Sequence, residues 1–269
     1  MKTKPTTRVS FSDDPPTIDV KMPRGWTELS QDELRTVFRI MDIYTDRADS
    51  IPFQVFRLLA CMEVERQDGS GFLCCFTAGH GRRARVRRCW ISPETMAEHM
   101  ECLAFLSEPG DVPVRLDYIG RGRKHRAAVN AQLHEVSFRD YVKLENLYQG
   151  FLRSNDQRSL TRMAAILYPR FNPEKDFLMS FEVLSILQWM VQVKAMFARL
   201  FRHFFRPAAG TGEAPNMMEV LNNEIRALTQ GDVTKEAEIL ETDCWRALTE
   251  LDFKAKEAEE FNRAKSKSK

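Results

Sequence analysis

The densest chemistry in this sequence is cationic. Arg82, Arg83, Arg85, Arg87 and Arg88 crowd the stretch RRARVRRCWI, and Arg121, Arg123, Lys124 and Arg126 crowd the stretch GRGRKHR. If the first stretch is a strand, period two places Arg83, Arg85 and Arg87 on one face and Ala84, Val86 and Trp90 on the other. A row of guanidinium groups on a sheet can track a phosphate backbone, and Phe72, Phe76 or Trp90 could stack bases. One reading is therefore a nucleic-acid-binding module using Arg83, Arg85, Arg87, Arg121, Arg123 and Lys124. Two observations oppose it. The 40 Lys and Arg residues nearly balance the 38 Asp and Glu residues, so the net charge of +2 supplies no global field. The alternation also assigns the aromatic residues to the core side. The bland reading is a solvated, acid-paired surface.

Other reactive types are present without the spacing that chemistry requires. The histidines His80, His99, His125, His134 and His203 are scattered, and neither HExxH nor a CxxC pair occurs. Cys75, His80 and Cys89 could meet across a hairpin, but three loosely placed ligands are a poor metal set. Gly120-Arg-Gly-Arg-Lys lacks the frame of a phosphate-binding loop, no dinucleotide signature surrounds it, and there is no GxSxG elbow. A Cys–His nucleophile stays open, because such partners are distant along a chain. Glu236 with Glu238, and Glu257, Glu259 and Glu260, read as solvated helix faces. The expectation is a chain with no catalytic residue, no cofactor and no metal, and hence not an enzyme.

The elements that would carry these residues are mostly helices. The expected class is mainly α with a small antiparallel β-hairpin or sheet (α+β): a helical bundle core plus a C-terminal helical appendage. Residues 1–23 are polar and proline-rich, which predicts a flexible arm. Ser30-Gln-Asp-Glu33 is a capping box opening a helix, and a second helix is expected from Pro52 to Glu63. Gly71–Phe76 and Arg82–Ile91 read as a hairpin, with VPVRLDYI as a candidate third strand. Ser92-Pro93-Glu94 starts another helix. Val136–Pro169 reads as paired amphipathic helices, capped at Ser137 and turning at Ser154–Asp156. The mainly helical core domain thus covers 24–206 with the Arg-rich hairpin near 71–91. A linker follows at 207–215, then a helical segment at 216–263 with Gly231 as an internal stop, and a disordered tail at 264–269.

Phe177–Phe205 is the most apolar stretch, but Gln188, Gln192, Lys194, Arg199 and Arg202 interrupt it. Ser185, Gln188, Gln192, Arg199 and Arg202 recur at helical spacing as a polar stripe, with Val183, Ile186, Leu187, Met190, Val193, Phe197 and Phe201 opposite. That predicts a core or interface helix and no membrane span. A helix lying on a membrane surface is the alternative suggested by its cationic polar side. The start MKTKPTTRVSFSDDPP has no apolar signal core, and six cysteines without paired spacing suit reduced thiols in a cytoplasm.

Three stretches carry a family resemblance. LHEVSFRDYVKLENLYQGFL followed by LTRMAAILYP, and then SFEVLSILQWMVQVKAMFARLFRHFF, are similar to a pattern in tail-region proteins of bacteriophages and prophages, particularly of Bacteroidetes. LTQGDVTKEAEILETDCWRALTELDFKAKEAEE resembles the ends of phage tail assembly chaperones, where a Gly-Asp-Val-x-Lys turn precedes two helices. The likeness covers roughly the chain from Val136 onward. It departs from the pattern at Tyr168-Pro169-Arg170, where the familiar order has Arg directly after Tyr. The resemblance implies a non-enzymatic chaperone or scaffold in the host bacterial cytoplasm. Its partner would be a helical apolar segment of a tape-measure or other tail protein. The expected contacts are Leu184, Leu187, Met190, Phe197 and Phe201, with Trp245 on a second arm.

Overall fold

The computed structural model describes residues 20–78, 84–120, 125–205 and 217–267. Among them the fold is mainly α with two small antiparallel sheets. The chain divides into two compact units at Gly110/Asp111. The expected boundary at 207–215 lies outside the described residues, so no structural statement attaches to it.

In the first unit, α1 (Gln31–Ile43) begins at the expected capping box: Ser30 Oγ accepts from Glu33 N, and Glu33 returns to the Ser30 amide at 2.8 Å. α2 (Ile51–Leu59) is shorter than its sequence suggested. Cys61, at a positive φ of 53°, ends it, and the chain leaves as β1 (Met62–Asp68). β2 (Gly71–Ala78) and β3 (Arg85–Ile91) complete an antiparallel sheet of order β1-β2-β3. Gly71 closes the first turn at φ +141°, where a Cβ would run into the carbonyl oxygen of Ile91. α3 (Pro93–Cys102) starts at Ser92, whose Oγ accepts from Thr95 N at 3.1 Å. Trp26 stacks on Phe38 at 5.8 Å and donates its Nε1–H to the Glu108 carbonyl at 2.9 Å, tying the start of this unit to its end. Val20 and Met22 are buried, so the expected flexible arm is already packed by these positions.

In the second unit, β4 (Tyr118–Ile119) pairs only with β5 (Arg126–Ala127), so VPVRLDYI belongs to a separate ribbon and is not the third strand of the first sheet. α4 (Phe138–Ser154) and α5 (Gln157–Leu167) form the expected helical hairpin. Ser137 Oγ caps the Asp140 amide, Asn155 turns through φ 53°, and Asp156 caps the Arg158 amide at 3.0 Å. α6 (Ser180–Leu200) is the central helix. α7 (Met217–Thr229) ends where Gly231 N–H donates back to Arg226 O at 3.1 Å, with Gln230 and Gly231 both at positive φ. α8 (Glu236–Glu241) and α9 (Cys244–Lys267) follow, and α9 extends through positions expected to fray.

The last helices are not an appendage to the core of this unit. Cys244, Ala247, Leu248 and Leu251 of α9 belong to the same buried cluster as Phe138 and Leu144 of α4, Leu160 of α5, and Trp189 and Phe197 of α6. The loop before α4 is held by polar bonds to these helices. Trp189 Nε1 donates to Ala131 O at 2.6 Å, Trp245 Nε1 to Gln132 O at 2.7 Å, and the Glu135 amide to Asp243 Oδ2 at 2.6 Å. The two indole bonds satisfy polar groups that would otherwise be costly to bury, while the Glu135–Asp243 bond is exposed.

The polar stripe expected on α6 is only half polar to solvent. Ser185 and Gln192 are buried, as is Glu182. Gln192 Oε1 accepts from the Val114 amide at 2.7 Å, and Glu182 accepts from the Gly120 and Met179 amides at 2.9 and 3.0 Å. Gln192 and one oxygen of Glu182 serve backbone groups of the 111–120 segment, and the other oxygen of Glu182 serves the amide just before α6. By length and composition α6 is apolar enough to cross a membrane. Within the unit, ten of its side chains, from Phe181 to Phe197, are buried.

Candidate binding sites

Of the six residues expected to meet a partner, all but Leu184 belong to the core or pack against it. Met190, Phe197 and Phe201 are buried. Leu187 is partly buried against the core, and Leu184 and Trp245 are half-buried. Phe197 packs against Tyr141 at 5.5 Å, Phe201 at 5.5 Å and Trp245 at 5.4 Å, and the Trp245 indole stacks on His134 at 4.4 Å. The structure thus joins Phe197, Phe201 and Trp245, but as an aromatic centre holding α4, α6 and α9 together, not as a surface. An apolar helical stripe has the same spacing whether it faces a core or a partner, which is why the pattern could not separate the two.

An open cleft lies nearby in sequence, between α7, α8 and α9. It has a volume of about 290 Å³ and is lined by Leu228, Gln230, Ile239, Thr242, Arg246, Ala247, Glu250 and Lys254. The floor is aliphatic. The rim is charged, with Arg246 and Glu250 paired at 2.9 Å across one helical turn. Local sequence builds this shape. The Gln230-Gly231 stop reverses α7, Asp232 caps the next turn by accepting from Thr234 N at 3.0 Å, and Asp243 starts α9 by accepting from Trp245 N at 2.9 Å. Cofactor pockets run from roughly 300 Å³ upward, so this volume suits one or two apolar side chains better than a cofactor.

The basic strand reads differently from its sequence. Cys89 and Ile91 are buried, while Val86 is 64% exposed and Trp90 38%. The core side of β3 is therefore the side of Arg85 and Arg87, and the strand runs past the core so that both arginines are exposed. The Trp90 face is the open one. There Trp90 Nε1 donates to Ser70 O at 3.1 Å, Arg66 lies 5.7 Å from the indole centroid, and Arg88 makes a bidentate pair with Glu65 at 2.7 and 3.0 Å. This pairing holds the Glu65 carboxyl below its ordinary range. The alternation was correctly spaced but assigned to the wrong sides, because Cys89 is a small buried hydrophobe between larger neighbours. Arg83, Arg121, Arg123 and Lys124 lie outside the described residues.

Thiol chemistry finds little support. Burial pushes Cys74 and Cys89 up to about 11 and Cys244 up to about 12, opposite to the direction a thiolate nucleophile needs. Cys75 is also raised, first by desolvation and then by its hydrogen bond to Glu65. Among the described residues no group of three or more His, Cys, Asp or Glu side chains could hold a metal ion.

One titratable cluster was not singled out by sequence. Glu145 on α4 pairs with Lys194 of α6 and accepts from Gln149 Nε2 at 2.8 Å, while its Oε2 is buried with no hydrogen-bond partner. Lys194 Nζ lies 5.5 Å from the Tyr148 ring centroid. Burial, aided by the charge of Glu145, pushes Glu224 of α7 up to about 7. Tyr141 is pushed well above its ordinary value, by burial and then by Glu145 and Glu224. The available signal was the pairing of Glu145 and Tyr148 on an otherwise apolar face, and it is too common to single out.

Comparison of the chain with protein-family models, with curated proteins and with solved structures returned no match.

Proposed function

We propose that this chain is a non-enzymatic tail assembly chaperone or scaffold-like protein that binds an apolar helical segment of a tape-measure or other tail protein. The observation that carries this reading is the cleft of α7–α9, which is built from the stretch resembling the ends of such chaperones. Its aliphatic floor of Leu228, Ile239 and Ala247 suits side chains presented at one-turn spacing by an amphipathic helix. The rim charges of Arg246, Glu250 and Lys254 suit the polar flanks of that helix. The binding surface is thus moved from the buried stripe of α6 to the cleft.

Co-expression with a candidate tape-measure protein, followed by affinity purification, tests the reading. The expected result is co-purification that Ile239→Asp abolishes while thermal melting shows the chain still folded. Failure of any tail protein to co-purify, or capture unaffected by Ile239→Asp, overturns it.

A second reading has its own observation. Exposed Arg85 and Arg87, where the start of β3 runs past the core, make that end of the sheet a candidate nucleic-acid surface. Single- and double-stranded DNA titrated at two salt concentrations would then bind with salt-dependent affinity, weakened by Arg85→Glu with Arg87→Glu. Absent or salt-insensitive binding removes this reading.

A further inference from the structure

All six cysteines carry free thiols, and two of them face each other across the sheet. Cys74 on β2 and Cys89 on β3 are ladder partners in antiparallel register, so their side chains leave the same face side by side. That face is the core side. Cys74 is fully buried and Cys89 is 3% exposed, between the flanking pairs Phe72–Ile91 and Phe76–Arg87. Cys75 belongs to the other face, where its ladder partners are Glu63 and Arg88.

Directly opposed residues in an antiparallel ladder have Cα atoms about 4.5 or 5.5 Å apart, according to the kind of pair. Both separations fall inside the range of about 4.4–6.8 Å that a disulfide bridges. The Cβ atoms of such partners stand about 4.5–5.5 Å apart, so they must draw in by up to about 1 Å. As an edge strand, held by β2 on one side, β3 can make that movement.

We infer that Cys74 and Cys89 are a latent cross-strand staple, closed to a disulfide when the chain folds in the presence of a low-molecular-weight disulfide such as oxidised glutathione. One cysteine thiolate attacks a glutathione sulfur, forming a mixed disulfide and releasing one glutathione thiolate. The second cysteine thiolate attacks the protein sulfur of that mixed disulfide and releases the other. Two protons pass from the cysteines to the glutathione thiols, and the two electrons reduce the glutathione disulfide. The bridge closes a ring of about 15 residues and pins to β2 the strand that presents Arg85 and Arg87. It is independent of both binding roles above.

Burial sets the tempo. Desolvation, and next the charge of Cys89, push the Cys74 thiol up to about 11, and desolvation followed by Cys75 does the same to Cys89. Few thiolates then form at neutral pH, so exchange in the folded state is slow in both directions. The pair is a staple set during folding and not a fast redox relay.

The full chain, reduced and unfolded in urea, is refolded by dilution into oxidised or reduced glutathione, capped with N-ethylmaleimide and mapped by tandem mass spectrometry. A Cys74–Cys89 bridge should be the dominant intrachain link after oxidised refolding and absent after reduced refolding. Cys75→Ser should keep it and Cys89→Ser abolish it. The same mixture held in urea should scatter links among the six cysteines. Amides of β3 should exchange with deuterium up to roughly a hundredfold more slowly in the bridged chain than in the reduced one. No Cys74–Cys89 link after oxidised refolding, a dominant link through Cys75 instead, or an equal yield of the bridge in urea overturns the inference. The map of the unsubstituted chain decides the matter even if Cys89→Ser fails to fold.

Discussion

Truncating Phe197 separates a core from an interface with one substitution. The ring is fully buried and touches Tyr141, Phe201 and Trp245 at centroid distances of 5.4 to 5.5 Å for the first, second and third of these contacts taken together. Phe197→Ala removes that packing and leaves a void which α4, α6 and α9 cannot close without shifting. Buried Phe-to-Ala changes cost about 3–5 kcal/mol, most of it cavity and lost transfer energy. A typical domain is stable by only about 5–15 kcal/mol, so the variant should be folded but severely weakened. Phe253, 59% exposed on α9, is the matched control: the same chemical change there should cost within about 0.5 kcal/mol. Urea unfolding followed by tryptophan fluorescence measures both, since Trp245 abuts the Phe197 ring. Equal midpoints for the two variants, or a Phe197→Ala midpoint near that of the parent, would falsify the assignment of this stripe to the core.

Three further outcomes follow from the polar and thiol groups. Under native conditions a disulfide reagent should label exposed Cys61 first, while Cys74, Cys89 and Cys244 react only on unfolding; early labelling of Cys244 contradicts its burial. Gln192→Leu strands the Val114 amide, so it should destabilise by about 1–3 kcal/mol in thermal melts, whereas a gain in stability contradicts the bond. Glu224→Gln should melt higher than the parent at pH 8, and the two should converge only well below the free carboxyl value of 4.5, where the group is protonated both folded and unfolded. The ceiling on that gain is about 3 kcal/mol, and an unchanged or lower melting temperature at pH 8 counts against the buried acid.

The local grammar of the chain was readable in advance because it depends on neighbours in sequence. The caps at Ser30, Ser92 and Ser137, the turn at Asn155-Asp156 and the stop at Gly231 all stand where residue type predicted them. The mainly α class with a small antiparallel sheet followed from the same cues. What failed was tertiary. The helix expected through Glu63 stops earlier, and Met62 and Val64 alternate inward as an edge strand beside β2. The apolar stripe of α6 could not declare whether its partner lay within the chain. Gln192 and Glu182 look like surface residues until the backbone amides they cap are known. The Glu145–Glu224 encounter joins positions brought together only by folding, so no spacing could announce it. The cleft was equally hidden, because its walls come from three helices.

A photo-crosslinker placed in the cleft puts the binding account to its most direct trial. Benzoylphenylalanine at Lys254, on the rim, should form a covalent adduct with a co-expressed tail protein. The same group at Leu152, 59% exposed at the end of α4 and outside the cleft, should not. An adduct confined to position 254, mapping to an apolar helical segment of the partner, is the predicted result. No adduct at 254, or adducts of equal yield at both positions, would contradict the claim that this cleft is where the protein binds.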